Sequence, residues 1–201
     1  CIFRLKKIKT MKKIFLWTTK KKEDQKFKNV CKKHSIGLFR GSNNNVAKRL
    51  INCAKENSID TIVRITADCP IIDPGVIDKC VTLHLKKKND YTSNVIKPSF
   101  PDGLDVEIIN LKTLIISQNF SKTQSNREHV TTHIRKSKKF KKYNFKNNFN
   151  YSNRRWTLDN FKDYLFLKNL VIYFWPNIYF SWKEIIRAEK FNKSLIYIKK
   201  R

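Results

Sequence analysis

Apolar and polar positions follow two rhythms along the first ninety residues. Residues 13–19 (KIFLWTT), 37–40 (GLFR) and 61–66 (TIVRIT) are short runs rich in β-branched or aromatic side chains, as strands are. Between them the period lengthens to that of a helix. Residues 22–35 place Phe27, Val30 and Cys31 on one face, and residues 45–58 place Val46, Leu50, Cys53 and Ala54 on one face. A third helix is predicted over 74–88, opened by Asp73–Pro74. This β-α-β-α-β-α alternation predicts a three-layer α/β domain: a mostly parallel sheet with helices on both faces.

The second half changes character. Residues 90–95 (DYTSNV) and 104–109 (LDVEII) read as strands, joined by the loop PSFPDG at 98–103. Helices are predicted over 111–120 and 125–137, and a strand or exposed hairpin over the basic, aromatic stretch 139–150. RRWTLD (154–159) reads as a further strand, followed by a helix over 161–174 with Asn160 as its cap. A last helix starts near Ser181. Residues 2–9 have the pattern of a helix end, so the chain opens on a helix tail where a strand and phosphate loop would be expected.

The run TIVRITADCPIIDP (61–74) sets an acid, Asp68, at the end of a strand and just before a helix start. In open α/β sheets ligands gather at the carboxyl ends of strands. A second acid, Asp159, ends the segment RRWTLD. Two readings stand. The pair could hold a magnesium ion, which takes one or two carboxylates alongside substrate phosphates and waters; or each acid could cap the turn that follows it. Asp102, Asp105 and Glu107 crowd around Gly103, with Asp105 and Glu107 on one face of a strand. They suit sugar hydroxyls, or they belong to a polar turn and an exposed strand face. Arg127, Glu128 and His129 begin a predicted helix, where Arg127 could meet an anion. EHVTTH lacks the HExxH order, so no zinc site is expected from His129 and His133.

Composition changes the picture only in part. At 201 residues, with 40% hydrophobic residues, one domain with a real core is expected. Five cysteines, none in a CxxC pair, read as reduced core thiols rather than disulfides or a zinc site. No signal-peptide pattern is visible in the first residues, and the apolar run 164–175 is too short to span a bilayer and is broken by Lys168 and Asn169. A soluble, cytoplasmic protein is the expectation. The net charge of +28 suits a nucleic-acid binder. However, lysine, asparagine and isoleucine are enriched together, as in a gene rich in A and T. The lysines are also scattered, with no RNA-binding signature, so no specific nucleic-acid partner is expected.

In this order, VRITADCPIIDP, DYTSN, FPDGLDVE, REHVTTHIR and RWTLD resemble the SpsF-like branch of the cytidylyltransferases, homologues of the CMP-KDO and acylneuraminate enzymes. The resemblance covers nearly the whole chain. It implies a nucleotide-diphospho-sugar transferase fold, Rossmann-like, over 1–201 as a single domain. It also implies transfer of CMP from CTP to an acidic sugar, with Mg²⁺, for cell-surface polysaccharide. On that pattern Asp68 and Asp159 are the catalytic metal-binding acids. Asp102, Gly103, Asp105, Glu107, Arg127, Glu128 and His129 are the substrate-binding residues. The family's first strand and its basic, glycine-containing phosphate loop are not found, which suggests that the N-terminal part is missing. Ala67 replaces a usual Gly, His133 a frequent Tyr, and NFKD (160–163) the usual TPED. A non-catalytic sugar- or nucleotide-binding protein is the alternative. The stretch 139–150 is a candidate homodimer contact.

Overall fold

The computed structural model describes residues 1–120 and 130–198. Its strands and helices alternate as expected in the first half. A short helix α1 (Ile2–Leu5) precedes β1 (Phe15–Thr19), α2 (Phe27–Lys33, entered through a 3-10 turn at Lys22–Lys26), β2 (Gly37–Gly41), α3 (Val46–Glu56), β3 (Thr61–Arg64) and α4 (Pro74–Lys87). Then come β4 (Tyr91–Ser93), β5 (Glu107–Asn110), α5 (Leu111–Asn119), α6 (Thr132–Lys136), β6 (Lys142–Asn144), α7 (Phe161–Phe174) and α8 (Trp182–Ala188). The first part of the helix predicted over 125–137 lies outside the described residues; α6 is its end.

β1 and β2 pair in parallel as one sheet, and a second sheet has the order β3-β5-β4-β6. In that sheet β4 and β6 are parallel, whereas β5 runs antiparallel to both β3 and β4. The layered α/β class holds, with a sheet more mixed than simple alternation suggests. The reason lies in the connections. β4 returns to β5 through the non-helical segment 94–106, and parallel neighbours need a crossover such as a helix.

Period-two alternation then assigns the faces. In β5, Ile108 packs with Ile72, Ile77, Cys80 and Val81 under α4, while the next residue, Ile109, packs with Leu50, Ala54, Leu114 and Ile134 under α3, α5 and α6. A third cluster, centred on fully buried Trp156, joins Ile71, Phe100 and Leu104 to Phe166, Leu167 and Leu170 of α7 and to Trp182 and Ile185 of α8.

Polar ties hold this third layer. Asp73 caps α4 by accepting from the Val76 amide at 3.1 Å, and its other oxygen accepts from the Trp182 amide at 2.9 Å. Arg4, buried at the chain start, donates to the carbonyls of Ile72, Ile178 and Phe180 at 2.7, 2.8 and 2.6 Å. Asn160 caps α7 as predicted, in a reciprocal capping box with Asp163, and Ser181 does the same for α8 with Glu184.

One expectation is corrected. RRWTLD is extended but not a strand: among the described residues it makes only isolated bridges, Asp102 to Arg155 and Arg154 to Ile198. It is wedged between a loop and the C-terminal segment, and neither offers a ladder. Of the two forms expected for 139–150, the strand is found: Lys142–Asn144 pair parallel to β4 at the sheet edge. Among the described residues no helix is long and apolar enough to cross a membrane.

Candidate active site

The site is assembled from three segments that meet beyond the end of β3. The first is the turn holding Asp68. The Asp68 backbone carbonyl accepts from the Leu158 amide at 2.8 Å, which brings Asp159, the next residue, beside it. The two acids proposed from sequence as a pair therefore come from hydrogen-bonded segments.

The second segment is the loop around Gly103. The Asp102 amide donates to the Arg154 carbonyl at 3.0 Å, and the Trp156 amide donates to the Asp102 carbonyl at 2.8 Å. Gly103 sits at φ +104, and a Cβ there would lie 2.6 Å from the Trp156 carbonyl oxygen. Only glycine fits this crossing. Asn94 fixes the far side of the loop: its amide nitrogen donates to the Leu104 carbonyl at 2.7 Å and its oxygen accepts from the Val106 amide at 2.9 Å.

The strand expected over 104–109 begins only at Glu107, so Asp105 lies in the loop before β5, but both acids face one space. They line a small cavity of about 140 Å³ with Arg64, Thr66, Val95, Thr131 and Arg135. Glu107 is buried and both its oxygens are engaged. One pairs with Arg64; the other accepts from the Tyr91 hydroxyl at 2.5 Å and the Thr131 hydroxyl at 2.6 Å. Burial, followed by the neighbouring carboxylate of Glu107, pushes the Tyr91 phenol well above its ordinary range. Glu107 is thus a hub that holds Arg64 at the cavity wall.

The third segment carries Asp159. One of its oxygens accepts from Arg155 at 2.5 Å and from the Thr157 hydroxyl at 3.1 Å. Arg155 also forks onto Asp163, which is completely buried and accepts in addition from the Asp159 amide at 2.9 Å and the Tyr197 hydroxyl at 3.0 Å. The Arg155 hydrogen bonds hold the Asp163 carboxyl far below the usual carboxylate range. Sequence reasoning missed Arg64, Arg135 and Arg155. In a chain with 44 lysines and arginines, no single arginine carries a signal of its own.

Cys69, between the turn and the sheet, is a core thiol. Burial pushes it up to about 12, helped by the charges of Asp68 and Asp105. His84 is also structural: it is buried, bonds Thr92 and Asn110 at 3.1 and 2.9 Å, and is lowered by burial. His133 bonds the Ser117 hydroxyl and stacks on Phe120. Among the described residues no group of three or more His, Cys, Asp or Glu could hold a metal unaided. Arg127, Glu128 and His129 lie outside the described residues.

Comparison with known proteins identifies the fold and the family. The chain superimposes over its full length on a cytidylyltransferase from Leptospira borgpetersenii, with a TM-score of 0.93, 32% identity and 85% of that chain covered. The architecture is therefore the α/β fold of the nucleotide-sugar transferases. The family model described as cytidylyltransferase matches residues 1–199, and the chain belongs to that family. It is 36% identical over 166 residues to an uncharacterized protein of Methanocaldococcus jannaschii, and 29% identical over 157 residues to the spore coat polysaccharide biosynthesis protein SpsF of Bacillus subtilis. These alignments cover 80% and 76% of this chain but only 66% and 64% of the two relatives.

Proposed function

We propose that the protein transfers CMP from CTP to the hydroxyl of an acidic sugar destined for cell-surface polysaccharide. Family membership supports the nucleotidyl transfer, and the likeness to SpsF supports the polysaccharide setting. The observation that carries the reading at the site is the Leu158–Asp68 hydrogen bond, which sets two carboxylates on adjoining segments.

That donor set, two hard carboxylates with no sulfur or nitrogen ligand required, fits a magnesium ion whose other ligands are phosphates and water. Asp68 and Asp159 would hold it, and when bound it would neutralise charge on the triphosphate. The remaining residues position. Arg155 holds one oxygen of Asp159, fixing which way the carboxylate presents its other oxygen. The Gly103 loop, with Asp102 and Asp105, offers acceptors for sugar hydroxyls beside the acids. Arg64 and Arg135 bring positive charge to the same cavity, as a sugar carboxylate would need.

The test is pyrophosphate release from CTP by the full-length gene product, with magnesium and a panel of acidic sugars. Asp68→Asn should lower the rate by ~100-fold or more, in line with the loss of one major electrostatic group. Unchanged release would remove Asp68 from the mechanism. CTP or sugar binding with no release in any condition would favour the non-catalytic alternative.

A further inference from the structure

The outward stripe of α7 is mostly apolar, where an ordinary surface helix turns polar and charged residues to solvent. One face is accounted for: Phe166, Leu167 and Leu170 are buried against Trp156, Phe180 and Ile185. The opposite face is not covered by anything in the described chain. Phe161, Tyr164, Leu165, Lys168 and Ile172 follow the spacing i, i+3, i+4, i+7, i+11, a single stripe, and Trp175 extends it past the helix end. Phe161 is 70% exposed, Ile172 61% and Trp175 71%; Tyr164 and Leu165 are also exposed. Together they present on the order of 500 Å² of aromatic and aliphatic surface, at the upper end for a monomer. Tyr179, in the turn after α7, is also exposed, and Lys7 lies over its ring at 4.8 Å.

We propose that this face seats the protein peripherally on an anionic bilayer, with the aromatic side chains entering the headgroup region. Charge selects that occupant. The stretch 160–183 holds one acid, Asp163, and it is buried in its pairing with Arg155; Lys162, Lys168 and Lys183 are exposed around it. The whole chain carries +28. A bilayer surface of negative headgroups attracts such a body, and aromatic and lysine side chains suit its interface, the lysine stem lying along apolar surface while its ammonium stays wet. A second copy fits less well. A two-fold contact pairs a patch with itself, so an antiparallel α7–α7 contact centred on the stripe would set Lys168 against its own copy, with no acid on the face to neutralise the pair.

Co-sedimentation with vesicles is the test. The probe is a 1:1 mixture of phosphatidylglycerol and phosphatidylcholine at 150 mM salt, with pure phosphatidylcholine as the comparison. The purified protein should partition at least ~10-fold more strongly onto the mixed vesicles. Ile172→Ser with Trp175→Ser should weaken that partition by ~10-fold or more while leaving the circular dichroism spectrum unchanged. Lys168→Glu should also weaken it. A blue shift of tryptophan emission on vesicle binding, lost in Trp175→Ser, would support insertion. The proposal is overturned if the mixed vesicles do not bind the protein. It is equally overturned if the double variant binds as well as the parent, since scattered lysines alone would then suffice. A micromolar dimer in sedimentation that the double variant dissolves would assign the face to a second copy and overturn it too.

Discussion

The amide of Leu158 donates to the carbonyl of Asp68 across 90 residues of sequence, and this one bond joins the two halves of the site. The acid at the end of the first half and the acid at the end of RRWTLD are neighbours because their backbones are tied. The same segment is tied on its other side to Asp102. Damage to either tie should therefore be felt at both acids.

Gly103→Ala tests the tie to Asp102. The backbone there is in the left-handed region, and the added Cβ would meet the Trp156 carbonyl at 2.6 Å. A loss of about 1–3 kcal/mol of stability is expected, with backbone displacement around Trp156. Urea unfolding monitored by tryptophan fluorescence reads it. An unchanged midpoint would mean that the loop relaxes freely.

Arg155→Met removes the cation from buried Asp163. Breaking a buried ion pair on one side costs about 3–5 kcal/mol, because the carboxylate is left without its partner. Arg155→Met should therefore be less stable at pH 7 than the double variant Arg155→Met, Asp163→Leu, a difference that a thermal melt of both proteins would reveal.

The same pair gives a pH dependence of stated sign. Asp163 is depressed in the folded protein, first by the Arg155 hydrogen bonds and then, against the opposing effect of burial, by the Asp159 amide and the Tyr197 hydroxyl. Its contribution is present above the unfolded carboxylate range near pH ~4 and is lost as pH falls toward the folded value. Melting temperature should drop between about pH 4 and pH 2, and Asp163→Asn should flatten that part of the profile. An identical slope in both proteins would assign the acid sensitivity elsewhere.

Thiol chemistry should single out Cys1. It is exposed, whereas the other four cysteines are buried, with burial pushing Cys53 up to about 11 and Cys69 and Cys80 up to about 12. At pH 8 dithionitrobenzoate should titrate one thiol rapidly and the remaining four only on unfolding. Rapid reaction at Cys69 would show that the turn carrying Asp68 opens in the native state.

Much of this was readable from residues alone. The helix predicted over 161–174 with Asn160 as its cap is α7 to the residue, because capping chemistry is local. Asp68 and Asp159 stood out because each ends a strand-like run, and Asp102, Asp105 and Glu107 because three acids crowd one short segment. What each acid touches was not readable. Glu107 turned out to be saturated by Arg64 of β3, Tyr91 of β4 and Thr131 at the start of α6, partners far apart in sequence. RRWTLD reads as a strand ending in an acid. Whether an extended segment joins a ladder depends on a neighbour distant in sequence, and at 154–159 the neighbours are a loop and a chain end. The antiparallel course of β5 was hidden for the same reason.

Asp73 and Arg4 also set a schedule for assembly. Asp73 receives its second amide from Trp182, 109 residues later, and Arg4 donates to the Phe180 carbonyl, 176 residues later. Contacts of such span form only after long loops close, which slows folding. A chain growing from a ribosome can build the Asp68 turn early. It can close the third layer, and with it the seat of Asp159, only once residues 180–182 have emerged, so a synthesis stalled before that point leaves Trp156 and the inner face of α7 open to solvent and to chaperones.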